Sequence, residues 1–241
     1  MSPVSSPASA APSILHGRLA PRRGSARAAS WWGKAWVRAV EESAYGEAEL
    51  ATARSLARAG RVGGISIGAG EVVAAVEDAS GMWSVSVAVP VLDPAAQDGF
   101  VESVAAEAGR IAALLAGELP HALVEHAEEA GVELLPFGGE LSGSCSCDAW
   151  MDPCAHALGV LYQVGWLVDA DPFVLLHLRG LPRDALLARL HDLDTAAGSA
   201  PVAMTGLDAD RDLSTAYDAA SRAARLLELL ERGEDPPDHL F

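Results

Sequence analysis

The sequence predicts an α+β fold, in which a small antiparallel sheet with packed helices precedes a cysteine-containing knuckle of a β-hairpin plus helix and further C-terminal helices. Half of the 241 residues are hydrophobic and only 5% are aromatic, which is typical of a core built mainly from aliphatic side chains. Three β-rich runs separated by glycine-containing turns predict an antiparallel meander. The three cysteines of the chain all fall in one short segment.

The chain begins with a basic segment. Residues 1–27 start with a Ser-, Ala- and Pro-rich stretch that predicts a disordered tail, because it cannot bury enough apolar surface to offset its ordering entropy. A transit peptide has a similar composition, but we favour the tail. The first 40 residues contain no Asp or Glu, and their cations are Arg18, Arg22, Arg23, Arg27, Lys34 and Arg38.

An N-terminal α+β domain is predicted over residues 28–136. Ser30 is a suitable N-cap for a helix in which Trp32, Trp36 and Val40 share one face, and we interpret these tryptophans as core residues rather than a base-stacking platform. A second helix over 47–59 ends at Gly60. The predicted strands are Val62–Ile67, Val72–Val76 and Trp83–Val89.

The remaining elements are predicted to be helical. Proline at the start of several segments favours helix initiation. The pair His121 and Glu125 is interpreted as a solvated surface pair. The predicted helices cover 94–116, 120–130, 155–168, 172–178, 182–190 and 213–232, and a loop covers 192–210.

Charge and hydropathy restrict the function classes. The formal net charge of −16 repels phosphate backbones unless a local basic surface compensates. No apolar run approaches the length of a membrane span, which predicts a soluble protein. An odd number of cysteines argues against a disulfide framework and indicates a cytoplasmic location.

Cys145, Cys147, Cys154 and His156 have the composition of a zinc site. Three thiolates and one imidazole satisfy the tetrahedral coordination of Zn²⁺, and four protein ligands leave no open position for a substrate. In an extended strand, Cys145 and Cys147 point to the same side. Cys154 and His156 lie at the start of a predicted helix, whose N-terminus favours thiolate. We therefore predict one structural zinc ion, and we expect its loss to unfold residues 140–167.

Other interpretations of the cysteines are weaker. Inert buried cysteines are an alternative, but the neighbouring Ser, Asp, Pro and Gly residues argue against it. A redox pair is disfavoured because Cys-x-x-Cys is absent, and a cysteine nucleophile lacks an identifiable base. No phosphate-binding loop is found either, so the sequence predicts a protein without enzymatic activity.

The pattern CxCx₆CxH, with Trp150 in the intervening loop and Asp152-Pro153 before the third cysteine, resembles the SWIM zinc finger in its bacterial form. The resemblance covers roughly residues 28–190. It is also carried by the segments WWGKAW (31–36), ARAGRV (57–62), LAGELP (115–120) and DPFVLLHLRG (171–180).

This resemblance places the zinc ligands at Cys145, Cys147, Cys154 and His156. It implies a SWIM-type finger with following helices over 137–190, and we assign residues 191–241 to a linker and C-terminal helix. Members of the family are thought to bind DNA or protein partners, and bacterial members are associated with SNF2-type helicase ATPases. Members often carry Lys where this chain has Ala155, which favours a protein partner over DNA.

Two functions follow as expectations. The first is a non-enzymatic adaptor that uses its zinc finger to engage a protein partner, with an SNF2-type helicase ATPase as the partner suggested by the resemblance. The alternative is a DNA-binding accessory protein that uses the basic N-terminal segment and the finger.

Overall fold

A five-stranded antiparallel sheet lies at the centre of the fold, with the strands in the order β1-β2-β3-β4-β5. The computed structural model describes residues 13–22 and 28–199. The strands are β1 (Ile14–His16), β2 (Val62–Gly68), β3 (Glu71–Glu77), β4 (Met82–Ala88) and β5 (Ser142–Cys145). This arrangement confirms the predicted α+β class.

The three central strands form the predicted meander. Alternate residues of β3, namely Val72, Ala74 and Val76, are buried, as expected for a strand with one face on the core. Gly70 adopts a φ of +76° in the β2–β3 turn, a conformation that glycine reaches without steric cost.

β1 corrects the predicted disordered tail for the described part of residues 1–27. Ile14 pairs with Ile67 and His16 with Ile65 in antiparallel register. The Ser/Ala/Pro composition that predicts disorder belongs to the residues before Ile14, whereas Ile14 has a β-branched side chain that favours a strand.

The helices are α1 (Trp31–Glu42), α2 (Glu47–Arg58), α3 (Pro94–Ala105), α4 (Ala108–Leu115), α5 (His121–Glu129), α6 (Ala155–Ala170), α7 (Pro172–Leu178) and α8 (Arg183–Ser199). Ser30 caps α1 by accepting a hydrogen bond from the Gly33 backbone N–H at 3.0 Å. Trp32 and Trp36 are buried, as predicted. α6 contacts α1, α2 and the three central strands, so it is the central helix of the core.

Two helix predictions were wrong in extent. The predicted helix 94–116 is divided into α3 and α4 at Glu107, whose extended backbone (φ −140°, ψ 122°) interrupts the helix. The buried Arg110 side chain donates hydrogen bonds across this break to the Ser103 carbonyl and the Glu107 carboxylate. The described part of the predicted loop 192–210 is helical up to Ser199, and Leu193, Ala196 and Ala197 in this part have high helix propensity. The predicted helix 213–232 lies outside the described residues.

The described residues up to Leu193 belong to one compact unit, and a second unit comprises Asp194–Phe241. The first unit contains both predicted segments, 28–136 and 137–190, because β5 of the finger joins the same sheet as β2 to β4. Within the described part of the chain, no helix is long and apolar enough to cross a membrane.

Candidate metal centre

The four predicted ligand residues meet where β5 ends and α6 begins. Cys145 is the last residue of β5, and this strand pairs with β4, where Val85 lies opposite Cys145. Ser146 continues the contact, since its N–H donates to the Ser84 carbonyl at 3.0 Å. Cys147 lies two residues further on, in the bend that follows β5, and its thiol joins the same cluster as that of Cys145.

The other two ligand residues are held by α6. Cys154 is the N-cap of this helix and is almost completely buried, and His156 lies in the first turn. The positive end of the helix dipole stabilises negative charge at this position. A 16-residue helix that is buried along its length thus fixes two of the four side chains.

The distances within the cluster fit a zinc ion. The Sγ atoms of Cys147 and Cys154 are 3.7 Å apart, and Cys145 Sγ lies 3.7 Å from His156 Nδ1. Tetrahedral coordination with Zn–S bonds of about 2.3 Å places two sulfurs about 3.8 Å apart. All four ligand atoms lie within 4.8 Å of one another. These side chains would hold Zn²⁺ as a closed structural site.

The thiols differ in acidity. Burial raises the pKa of Cys145 to about 12 and also raises the pKa of Cys154. Burial acts in the same direction on Cys147, but hydrogen bonds from the Ala149 N–H, His156 and the neighbouring thiols outweigh it and lower its pKa to about 7. Zinc binding requires thiolates and releases protons, so Cys147 is the thiol most ready to bind at neutral pH.

Asp78 supports the site from the β3–β4 turn. Its Oδ2 lies 3.0 Å from His156 Nε2, and its Oδ1 accepts hydrogen bonds from the Ser80 and Gly81 backbone N–H groups. The hydrogen bond with His156 lowers the pKa of Asp78 to about 2, so the carboxylate is ionised at neutral pH. Such a carboxylate fixes the tautomer of a metal-binding histidine, leaving Nδ1 free for the metal.

Two features of the site were missed by sequence reasoning. Asp78 is distant in sequence, and only its Asp-x-Ser-Gly turn was recognisable. Asp152 was noted before Pro153, but its hydrogen bond from the Gly143 N–H at 2.6 Å ties the loop between Cys147 and Cys154 to β5. No local pattern could have indicated either contact.

The remaining histidine prediction concerned His121. Its Nδ1 lies 3.2 Å from Glu125 Oε1, and both side chains are more than 60% exposed. This pair is therefore exposed on the surface, as predicted, and does not belong to the cysteine cluster.

The fold and the site together define a structural zinc-binding module. Residues 132–165 match the family model of the SWIM zinc finger. The chain therefore carries a SWIM zinc finger, as the resemblance implied, and it binds one structural Zn²⁺ ion.

A relative supports the similarity beyond the finger. An uncharacterized protein of Mycobacterium tuberculosis is 32% identical over 178 residues, which is 73% of this chain and 64% of that relative. The match thus spans less than two thirds of the relative's length. No solved structure matches this chain significantly.

Proposed function

We propose that this protein is a non-enzymatic zinc-binding adaptor whose finger is docked onto a protein partner. The observation that carries this proposal is the Cys₃His cluster, in which four potential ligand atoms lie within 4.8 Å of one another and would complete the tetrahedral coordination of a zinc ion. A catalytic zinc keeps one position for water or substrate. The metal here serves to order the backbone.

The charge of the finger favours a protein partner. The sequence contains no Lys or Arg between Ile111 and Leu178, a stretch that includes the whole finger. Its acidic residues include Glu133, Glu140 and Asp148. Affinity for DNA depends mainly on cations that neutralise phosphates, and the finger supplies none.

The DNA-binding alternative depends on the basic N-terminal segment, in which Arg18 and Arg22 contact other residues of the fold. Arg18 pairs with Glu77 at 3.5 Å, and the Arg22 guanidinium lies 4.3 Å from the centroid of the Trp166 ring. Lys34 and Arg38 are exposed. Duplex DNA binding that weakens steeply between low and physiological salt would support this alternative, and no retention at low salt would exclude it.

The zinc part of the proposal is tested by metal analysis. The purified chain is expected to contain one equivalent of zinc, and Cys147→Ser is expected to lose it because three ligands bind far more weakly. Gly109→Ala serves as a control, since a Cβ at this helical position meets no neighbouring atom. A wild-type chain without zinc would refute the site.

The partner is tested by direct binding. We propose an SNF2-type helicase ATPase as the partner, on the basis of the family resemblance. A purified ATPase of this class from the same organism is expected to bind the zinc-loaded wild-type chain and Gly109→Ala, but not Cys147→Ser. Equal binding to all three would show that the finger is not the docking element, and no binding would exclude this class of partner.

A further inference from the structure

Two aromatic side chains form an exposed pair beside the zinc site. Trp150 is 80% exposed and Tyr45 is 66% exposed, yet their ring centroids are only 5.4 Å apart in an edge-to-face arrangement. We call Tyr45 and Trp150 the aromatic patch. Trp32, Trp36 and Trp166 are buried and serve the core. Trp150 has the largest exposure of the large hydrophobic residues in the described part of the chain.

The patch is held in place by the finger and by α1. Trp150 lies in the loop between Cys147 and Cys154, and Asp152 anchors this loop to the Gly143 N–H. Tyr45 lies in the α1–α2 connection. A rigid aromatic side chain displayed to solvent loses little conformational entropy when a partner binds, which is why Trp and Tyr are frequent at binding hot spots.

A second contact brings the finger against α1. A Cβ atom on Gly138 would lie 2.8 Å from the backbone N of Ser43, so only glycine permits this approach. Phe137, the neighbour of Gly138, is 54% exposed and adds a third accessible ring near the end of α1. The exposed apolar surface is therefore contributed by two distant parts of the chain.

The surroundings of the patch are acidic. Glu41, Glu42 and Glu47 are exposed on either side of Tyr45 in sequence, and Asp148 and Asp152 are exposed on either side of Trp150. The segment 39–53 contains no Lys or Arg. The nearby cation Arg54 is bound by Glu41 at 3.1 Å and Glu47 at 2.7 Å. Its single positive charge is therefore shared between two carboxylates, and the local charge stays negative.

We propose that the aromatic patch binds an arginine-containing segment of a partner protein. A guanidinium stacks on the face of Trp or Tyr and forms bidentate hydrogen bonds with carboxylates. The aromatic patch supplies the rings, and the exposed acidic residues next to it in sequence supply the carboxylates. The negative charge of these residues attracts a basic segment. Single-stranded nucleic acid also stacks on aromatic rings, but it requires a positively charged groove for its backbone, whereas this surface is acidic.

This inference rests on the proposed adaptor function and specifies the chemistry of its partner. Trp150 owes its position to a loop that ends at two predicted zinc ligands. Removal of zinc is therefore expected to separate Trp150 from Tyr45 and to abolish binding of the arginine-containing segment.

The experiment measures fluorescence anisotropy of a labelled peptide of Arg-Gly-Gly repeats on the zinc-loaded full chain at physiological salt. Trp150→Ala and Tyr45→Ala are expected to raise the Kd about tenfold. Trp150→Phe retains a ring and is expected to restore most of the affinity. The control is Met82→Ala, which removes a 69% exposed apolar side chain outside the patch and is expected to leave the Kd unchanged.

The proposal is overturned by absence of binding to the wild-type chain, by equal binding to Trp150→Ala, or by tighter binding of single-stranded oligothymidine than of the arginine peptide. Zinc content is measured for every variant. A wild-type chain that lacks zinc contradicts the adaptor proposal itself. Full zinc content with no dependence on the patch contradicts only this inference.

Discussion

His156 uses its two ring nitrogens for two different contacts, and Asp78 determines which nitrogen carries the proton. A carboxylate 3.0 Å from Nε2 holds the proton there, so Nδ1 presents its lone pair toward the Cys145 thiol. The orientation of the ring is therefore set by a residue from the sheet rather than by the finger. Partners of this kind support metal affinity without touching the metal.

Substitution of Asp78 tests this role. In Asp78→Asn, the side-chain oxygen can still accept from Ser80 and Gly81, but the amide group cannot accept the His156 Nε2–H. We expect zinc affinity to fall about 10–100-fold, as for other such partners, when it is measured by competition with a chromogenic chelator.

Asp78→Ala removes the turn contacts as well, so its metal-free form is expected to be less stable than that of Asp78→Asn. Glu118→Gln, at an exposed carboxylate, serves as the control and is expected to keep wild-type affinity. Unchanged affinity in Asp78→Asn would mean that the ring is oriented by the finger alone.

At the residue scale, the clustering of the four candidate ligand residues was predictable because they lie close together in sequence. Cys145 to His156 form a compact pattern whose chemistry is specific to zinc. Asp78 and Tyr45 were not predictable, since their roles arise from contacts between distant segments. The exposure of Trp150 was also hidden, because sequence alone does not distinguish a core tryptophan from a displayed one.

At the scale of elements, α1 and α6 meet through a close contact at a glycine. A Cβ on Gly165 would lie 2.8 Å from Trp36 Cδ1. Trp36 is fully buried, and its Nε1–H donates to the Leu161 carbonyl at 3.0 Å. The Trp36 indole ring therefore cannot shift to make room for a side chain at position 165. The spacing of these two helices depends on the absence of a side chain at Gly165.

We predict that Gly165→Ala destabilises the protein by about 1–3 kcal/mol, the usual range for overpacking a core. Gly109→Ala is the matched control, because α4 offers open space at that position and alanine is the better helix former by about 1 kcal/mol. Chemical denaturation of both variants gives the comparison. A Gly165→Ala protein as stable as Gly109→Ala would show that the helices can separate without cost.

Asp169 joins the end of α6 to the start of α1. Its carboxylate accepts hydrogen bonds from the Ala29 N–H at 3.1 Å, the Ser30 N–H at 2.8 Å and the Ser30 hydroxyl at 2.6 Å. Burial alone would raise the pKa of Asp169, but these bonds outweigh it and lower the pKa below its ordinary value of 3.8. The ionised form is therefore the one that the fold stabilises.

Asp169→Asn is predicted to cost about 1–3 kcal/mol at neutral pH, because the amide group faces a backbone donor. A lowered pKa contributes stability above the ordinary value, and this contribution is lost as the pH falls through the folded-state value. The difference in unfolding free energy between wild type and variant should hence shrink below pH 3.8. Glu129→Gln is the exposed control, and a difference that stays constant with pH would contradict the assignment.

At the scale of the whole molecule, the zinc site lies at the edge of a hydrophobic core that is also stabilised by packing contacts away from the metal. α6 carries two predicted ligand residues, but its buried residues pack against α1, α2 and the sheet. The loop from Ser146 to Pro153 has few such contacts. This arrangement revises the expectation that zinc loss unfolds all of residues 140–167.

Chelation is predicted to release the loop and β5 while α6 remains folded. Hydrogen exchange followed by mass spectrometry should show lost protection over residues 143–153 and retained protection over the second half of α6. Samples reloaded with zinc provide the control. Loss of protection throughout α6 would place this protein with small fingers that are unfolded without metal.

The general architecture was predictable because local patterns agree with the tertiary fold. The hairpins from Val62 to Ala88 have alternating burial and glycine turns, and the cap at Ser30 has its expected partner. The break between α3 and α4 is accompanied by side-chain contacts of Arg110 with Ser103 and Glu107, and the pairing of Ile14 with Ile67 depends on a contact between distant segments. Those contacts leave no periodic signal in the sequence.

The position of Asp78 also has a kinetic consequence. Strands β2, β3 and β4 are neighbours in sequence, whereas β1 and β5 pair with strands far away along the chain, and closing such long loops slows their formation. We therefore expect the β3–β4 hairpin to form early and the two outer strands to join late. The β3–β4 turn, with the Asp78 carboxylate in place, would then form before His156 comes into contact with it. The last step of folding would therefore also complete the zinc site.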